Sequence, residues 1–186
     1  MIPISADSVW QGLHPPYKTI VADPPWKYEQ GGPTTGFAPL RPPPYSMMPA
    51  SEIACLPVED LADDDAHLYL WTTNRYLRQA FSIVEMWGFK HSQTLTWCKP
   101  AQGIGPGGAF SNTTEFVLYC RRGKLAYQGR VDTTWWQWPR GAHSVKPAAF
   151  LDIVEHVSPG PYVELFARAP RLGWDSWGKG FETEVA

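Results

Sequence analysis

Thr19-Ile20-Val21-Ala22 is a short apolar run of strand-forming residues, and Asp23-Pro24-Pro25-Trp26 cuts it off at once. Proline donates no backbone N–H to a ladder, so two in succession force the chain out of the sheet at that point. Whatever this chain folds into, a carboxylate, a rigid turn and an aromatic side chain leave the end of a buried strand together.

The same grammar recurs downstream. Residues 66–71 (AHLYLW), 92–97, 115–120 (EFVLYC) and 162–166 (YVELF) read as strands. Ser51 opens a predicted helix over 50–56, which ends before Pro57. The acidic stretch 59–65 reads as a surface connector. A helix is predicted over 75–87, where Leu77, Ala80, Phe81, Val84 and Trp87 recur on one face and Gly88 supplies a left-handed end. A third helix is predicted over 147–157, with Pro147 in its first turn. Residues 124–140 show no usable period, and residues 31–44 and 100–111 are rich in Pro and Gly. Strands alternating with helices imply an α/β fold: a mostly parallel sheet with helices on both faces, in one domain over 1–186. Ligands of such sheets sit beyond the carboxyl ends of the strands. That puts Asp23–Trp26, the loop after Trp71, the glycine-rich loop and the segment after Phe166 along one edge.

Composition removes several classes. No apolar run approaches the roughly 18–20 residues of a membrane span, and the first residues do not have the form of a signal peptide. Cys55, Cys98 and Cys120 are odd in number and far apart, and the five histidines (His14, His67, His91, His143 and His156) lack ligand spacing. A disulfide framework and a structural zinc are therefore not expected, and a reducing, cytoplasmic setting is. The formal net charge is only −2, yet residues 75–146 carry ten basic and three acidic groups. A basic middle third suits a polyanionic partner. Lys99, Arg75, Arg121, Arg122, Arg130 and Arg140 are candidate phosphate contacts, and Trp135-Trp136-Gln137-Trp138 a candidate stacking surface.

The Asp23-Pro24-Pro25-Trp26 turn suits a planar base with an exocyclic amine. Asp23 and the Pro24 carbonyl each accept an N–H, Trp26 stacks on or flanks the ring, and the nitrogen lone pair is aimed at an electrophile. Together with PYSMMPASEIACLPV, WTTNRYLRQAFSIVEMWGFK, LTWCKP, HSVKPAAFLDIVEHVSPGPYVELFAR and WDSWGKG, in that order, VADPPWKY resembles the MT-A family of N6-adenine methyltransferases. The resemblance runs from about Thr19 to Gly180.

It implies a Rossmann-like fold binding S-adenosylmethionine (SAM), with the catalytic motif before the main cofactor-binding strand, a permuted order. It also implies direct methyl transfer to the adenine amino nitrogen, without a metal. Asp23, Pro24, Pro25 and Trp26 are then the catalytic set. Asp23, Lys146, Glu164, Arg168, Gly178 and Lys179 are the candidate cofactor contacts. Lys146 matches a lysine facing the cofactor carboxylate, and Arg168 an arginine that helps to hold its ribose. Glu164, a carboxylate inside an apolar strand, needs a sugar hydroxyl or a base such as Arg168 as partner. Lys179 stands where many members have Asn, which puts that contact in doubt. Tyr28, Asn74, Lys99, Asn112, Arg121 and Arg122 are the candidate substrate contacts, and the glycine-rich segment Gly103–Asn112 a loop that could close over the target base. The expected partner is nucleic acid, with DNA favoured over RNA because the chain looks like the compact members. No membrane is expected, and the small surface leaves room for a homodimer or a partner subunit. The rival readings are an RNA adenosine methyltransferase, an inactive nucleic-acid-binding subunit, and amino methylation of another base such as cytosine.

Overall fold

The computed structural model describes residues 9–27, 47–100, 109–139 and 145–178. Seven strands form one sheet: β1 (Tyr17–Ala22), β2 (Ala62–Thr72), β3 (Lys90–Cys98), β4 (Thr114–Arg122), β5 (Trp135–Gln137), β6 (Tyr162–Leu165) and β7 (Trp174–Trp177). Their order across the sheet is β5-β3-β4-β2-β1-β6-β7. β1 pairs in parallel with β2 and β6, β6 with β7, and β3 with β5, whereas β4 is antiparallel to both β2 and β3. The sheet is thus mostly parallel, with one reversed strand.

Strand alternation divides the core into two layers. Ile20, Ala22, Leu68, Leu70, Leu118 and Leu165 face one side, where they pack with helices α1 (Ala50–Ala54) and α2 (Leu77–Met86). Val21, Tyr69, Trp71, Leu95 and Val117 face the other, against Phe150 and Val154 of α3 (Ala149–Val157). Helices therefore cover both faces, as the alternation of elements requires. α2 ends as its sequence indicates. Gly88 takes φ +78°, its N–H reaches the Glu85 carbonyl at 3.1 Å, and the Phe89 N–H reaches the Val84 carbonyl at 3.0 Å. That is a complete Schellman closure, with Phe89 buried behind it.

Two expectations need correction. Residues 59–65 are not all connector: β2 begins at Ala62, where it pairs with Tyr17, and Asp65 accepts a hydrogen bond from the Lys124 N–H. The unread stretch 124–140 contains β5, which lies in register with residues 96–98 of β3.

Candidate active site

Because six strands share a direction, the ends of β1, β2, β3, β5, β6 and β7 open on one edge. Asp23 follows β1 there, and its N–H reaches the Leu165 carbonyl of β6 at 3.3 Å. The next residues are locked in place. The Pro25 carbonyl accepts the Met48 N–H at 2.8 Å, and the Pro24 carbonyl accepts the Trp26 N–H at 2.9 Å. One Pro24 lone pair is used in this turn, and a carbonyl has two.

Trp26 does not have the role first assigned to it. The indole is 6% exposed. It stacks on Tyr76 at 5.0 Å and donates Nε1–H to the Trp71 carbonyl at 3.1 Å. It clamps the turn to the end of β2 and offers no open face to a base. The reason is packing: the residue after the prolines turns back into the α1/α2 layer.

Asp23 lies in a nest of charge. Lys146 Nζ is 2.7 Å from its Oδ1, and Arg168 Nη2 is 3.7 Å from its Oδ2. The same ammonium is 3.4 Å from Glu115 Oε2 and 5.3 Å above the Trp71 ring. Glu115 also pairs with Lys99, which lies 4.6 Å over the Trp97 ring. Burial acts to lower the Lys146 pKa, but Asp23 and Glu115 together outweigh it and leave the ammonium above its ordinary value. Glu164, on β6 beside Val21, has its carboxyl pushed up to about 7. Burial is the main cause and the Asp23 carboxylate adds to it, against the opposing pull of Arg171, Arg168 and Lys146. Arg168 pairs with Asp23. Together with Arg171 and Lys146 it also pulls on the Glu164 carboxyl, the group for which the sequence left a sugar hydroxyl or a base such as Arg168 open as partner.

The chain geometry that aims Arg168 is unusual. Phe166 has φ +64°, a left-handed conformation that costs a non-glycine residue about 1–3 kcal/mol and persists only where its surroundings enforce it. Its ring packs edge-on against Trp177 at 5.3 Å, and the Ala167 N–H reaches the Trp177 carbonyl at 3.0 Å. A Cβ on Gly178 would lie 2.5 Å from the Ala167 carbonyl oxygen. Only glycine lets the end of β7 lie against this turn.

The remaining sequence candidates separate. Asn74 stands exposed on the same edge, with Nδ2 3.4 Å from Thr114 Oγ1, and Asn112 is exposed close by. Lys99 belongs to the buried network and is only 11% exposed, so it is not a free phosphate contact. Arg121 and Arg122 are on the wrong edge. β4 runs backwards, so these residues at its end pair with His67 and Ala66, well before the end of β2. At roughly 3.3 Å per residue they lie about 20 Å along the strand from Glu115. Arg121 donates to the Leu125 carbonyl at 2.8 Å and Arg122 to the Glu59 carbonyl at 3.0 Å. Tyr28, Lys179, Arg140 and most of the glycine-rich loop lie outside the described residues. Sequence reasoning missed Glu115 and Trp71. Glu115 carried a signal: it is one of three acidic groups in the basic third and stands at the head of an apolar strand.

No group of His, Cys, Asp and Glu among the described residues could hold a metal. No helix among them is long and apolar enough to cross a membrane. The donor set does suit a zwitterion attached to a sugar: a cation at Lys146, a carboxylate at Asp23 beside it, and a second carboxyl at Glu164.

A family model described as MT-A70 matches residues 17–180, which is most of the chain. The chain belongs to the MT-A70 family. It is 31% identical over 180 residues to the type II methyltransferase M.MunI of a Mycoplasma species, covering 87% of this chain and 76% of that protein. It is 28% identical over 171 residues to a probable N(6)-adenosine-methyltransferase MT-A70-like protein of Oryza sativa subsp. japonica. It is also 28% identical over 160 residues to an N(6)-adenosine-methyltransferase MT-A70-like protein of Drosophila melanogaster. The match covers 87% and 82% of this chain, but only 22% and 24% of those two relatives. Membership makes this MT-A70 chain a methyltransferase of the adenine-N6 class, whose members generally use S-adenosylmethionine.

Proposed function

We propose that this MT-A70 chain, acting as a single methyltransferase domain in the cytoplasm, transfers a methyl group from SAM to the N6 amine of adenine in DNA. The observation that carries the reading is the contact of Asp23 with Lys146 at the carboxyl edge, with Arg168 on the far side of the same carboxylate. The DNA preference rests on the relative named as a type II methyltransferase, which the chain matches over 76% of its length, against about a quarter of the adenosine methyltransferases.

Bound SAM supplies a methyl sulfonium, already a strong electrophile, so the protein needs to contribute no nucleophile. Lys146 receives the cofactor carboxylate, with Asp23 at hand for the ammonium and Glu164 for the ribose hydroxyls. Gly178, packed on the Ala167 backbone, leaves main-chain groups at the edge for further contacts. Asp23 also accepts one amino N–H of adenine and the Pro24 carbonyl the other, which draws the nitrogen towards a tetrahedral geometry and turns its lone pair to the methyl. Buried Pro24, half-buried Pro25 and Trp26 hold these acceptors fixed, so orientation and field do the catalysis. The amino proton leaves after transfer, and no strong base is required. Asn74 and Asn112, on the same edge, are placed to touch the target nucleotide. A duplex target has to release its adenine from the stack, at about a few kcal/mol.

The test is competitive methylation with labelled SAM, offering double-stranded DNA, single-stranded DNA and RNA of the same sequence at equal concentration. Preferential labelling of either DNA supports the reading. Preferential labelling of RNA replaces it with the adenosine alternative, and SAM binding without any product points to an inactive or partner-dependent subunit.

A further inference from the structure

On the α3 face of the sheet, β3 and β4 extend well past the short strand β5, and the segment 127–136 bridges from there to the end of α3. Between them lies a cavity of about 630 Å³, within the range of sites that hold small molecules. It is distinct from the Asp23 site: none of Asp23, Lys146, Glu115, Glu164 and Arg168 lines it, and Arg121 in its wall lies about 20 Å along β4 from Glu115 at roughly 3.3 Å per residue.

Its frame is fixed. The Gln128 N–H bonds the Val157 carbonyl at 2.8 Å, and a Cβ on Gly129 would lie 2.5 Å from His156 Nε2. Tyr119 in its floor is tied to His67 at 3.1 Å. The wall carries two guanidiniums and two exposed aromatic faces, a pairing that a purely structural gap does not need. Tyr127 is 62% and Trp135 57% exposed. Arg121 Nε is buried without a hydrogen-bond partner, although the same side chain satisfies the Leu125 carbonyl. Arg130 is paired only loosely, at 3.9 Å, with Asp132, and both side chains are almost fully in water. With Arg121 and Arg130 against Asp132, the wall keeps one net positive charge.

A flat ring beside an anion is the chemistry of a nucleotide. We propose that this groove is a second nucleotide site, in which a base stacks on Trp135 or Tyr127 while Arg121 and Arg130 take its phosphate. The reversal of β4, which takes Arg121 away from the catalytic edge, is what delivers it here. The nucleotide is either a unit of the bound polynucleotide several nucleotides away from the target adenine, which rests on the function proposed above, or a free nucleotide, which does not.

The probe is fluorescein-labelled dT12, which contains no adenine and reports strand binding apart from methyl transfer. Its anisotropy is followed with wild-type protein and with Trp135→Ala and Arg130→Ala, whose side chains are exposed enough to be replaced without unfolding. Each variant should weaken binding about 10-fold, and Arg130→Ala should also flatten the salt dependence. Thymidine monophosphate is added as competitor to separate the two sources. Displacement at concentrations near its own affinity marks a free-nucleotide site. Variant-sensitive binding that the mononucleotide does not displace marks a strand site. Affinities for dT12 equal in wild type and both variants, or no dT12 binding at all, overturn the proposal. Neither of these results bears on N6-methyladenine formation, which is read separately.

Discussion

Lys146→Met replaces an ammonium by an unbranched apolar side chain that still covers the Trp71 ring. In the native site Lys146 stands between the carboxylates of Asp23 and Glu115, whose other cations are Arg168 and Lys99. Lys146 is 2.7 Å from Asp23 and 3.4 Å from Glu115. The three side chains are 20%, 11% and 18% exposed, so water screens these charges incompletely. At an effective dielectric of about 20, each contact has a Coulomb magnitude of about 5–6 kcal/mol before desolvation is counted. Truncating one partner of such a hydrogen-bonded pair typically costs about 2–5 kcal/mol in binding. In the variant an incoming carboxylate meets the Asp23 and Glu115 carboxylates without the ammonium that stood between them. SAM affinity should therefore fall about 100-fold, or about 2.7 kcal/mol. Turnover at saturating SAM should fall less than about 10-fold, because Asp23 still holds the amine. Calorimetry with SAM gives the affinity, and methylthioadenosine, which lacks the amino-acid group, serves as control and should bind both proteins alike. A folded Lys146→Met with unchanged SAM affinity, or with equal losses for both ligands, would refute the role of this lysine.

Glu164→Gln should act through pH. The native carboxyl titrates near 7, above its ordinary 4.5, so its stabilising protonated state is lost as pH rises through that interval. The variant should gain Tm over wild type at pH 8 and little at pH 4.5, as scanning calorimetry would show. His67 works in the opposite sense: burial lowers it from 6.5 to about 4, so the stability it contributes above 6.5 disappears as pH falls towards 4. His67→Gln should flatten that acid limb of the Tm profile, and an unchanged slope would count against it. Gly178→Ala puts a methyl 2.5 Å from the Ala167 carbonyl oxygen. It should cost about 1–3 kcal/mol of stability, at about 2–4 °C of Tm for each, and weaken SAM binding; an unchanged Tm would mean that the Phe166 turn yields freely.

Much of this fold is written in local sequence because its signals are local. The double proline after Ala22, the face of α2 and the glycine at its end each act within one turn or strand. Stacked strands then put their carboxyl ends on a common edge, which placed Asp23 there, whereas Lys146, 123 residues away, was assigned to the same site by the family resemblance and not by any local pattern. What was not legible depends on direction and on distant neighbours. The sequence between Cys98 and Thr114, rich in glycine, does not tell which way the next strand runs, and β4 returns antiparallel and takes Arg121 and Arg122 to the other edge. β5 and β7, three and four residues long, are too short for a period to show. Trp26 looked like a stacking plane because a residue's sequence does not reveal which neighbour, here Tyr76, will cover its face. Glu115 joins the site only because β4 starts at the edge where β2 ends.

The most direct measurement is nucleoside mass spectrometry of DNA methylated by the wild-type chain and by Asp23→Asn, which keeps the size of the side chain and removes its charge. The account predicts N6-methyladenine from the wild type and about a 100–1,000-fold lower rate from the folded variant, the loss typical of one preorganised polar group at a reacting centre. N6-methyladenine formed by Asp23→Asn at the wild-type rate, or methylcytosine as the wild-type product, would contradict it.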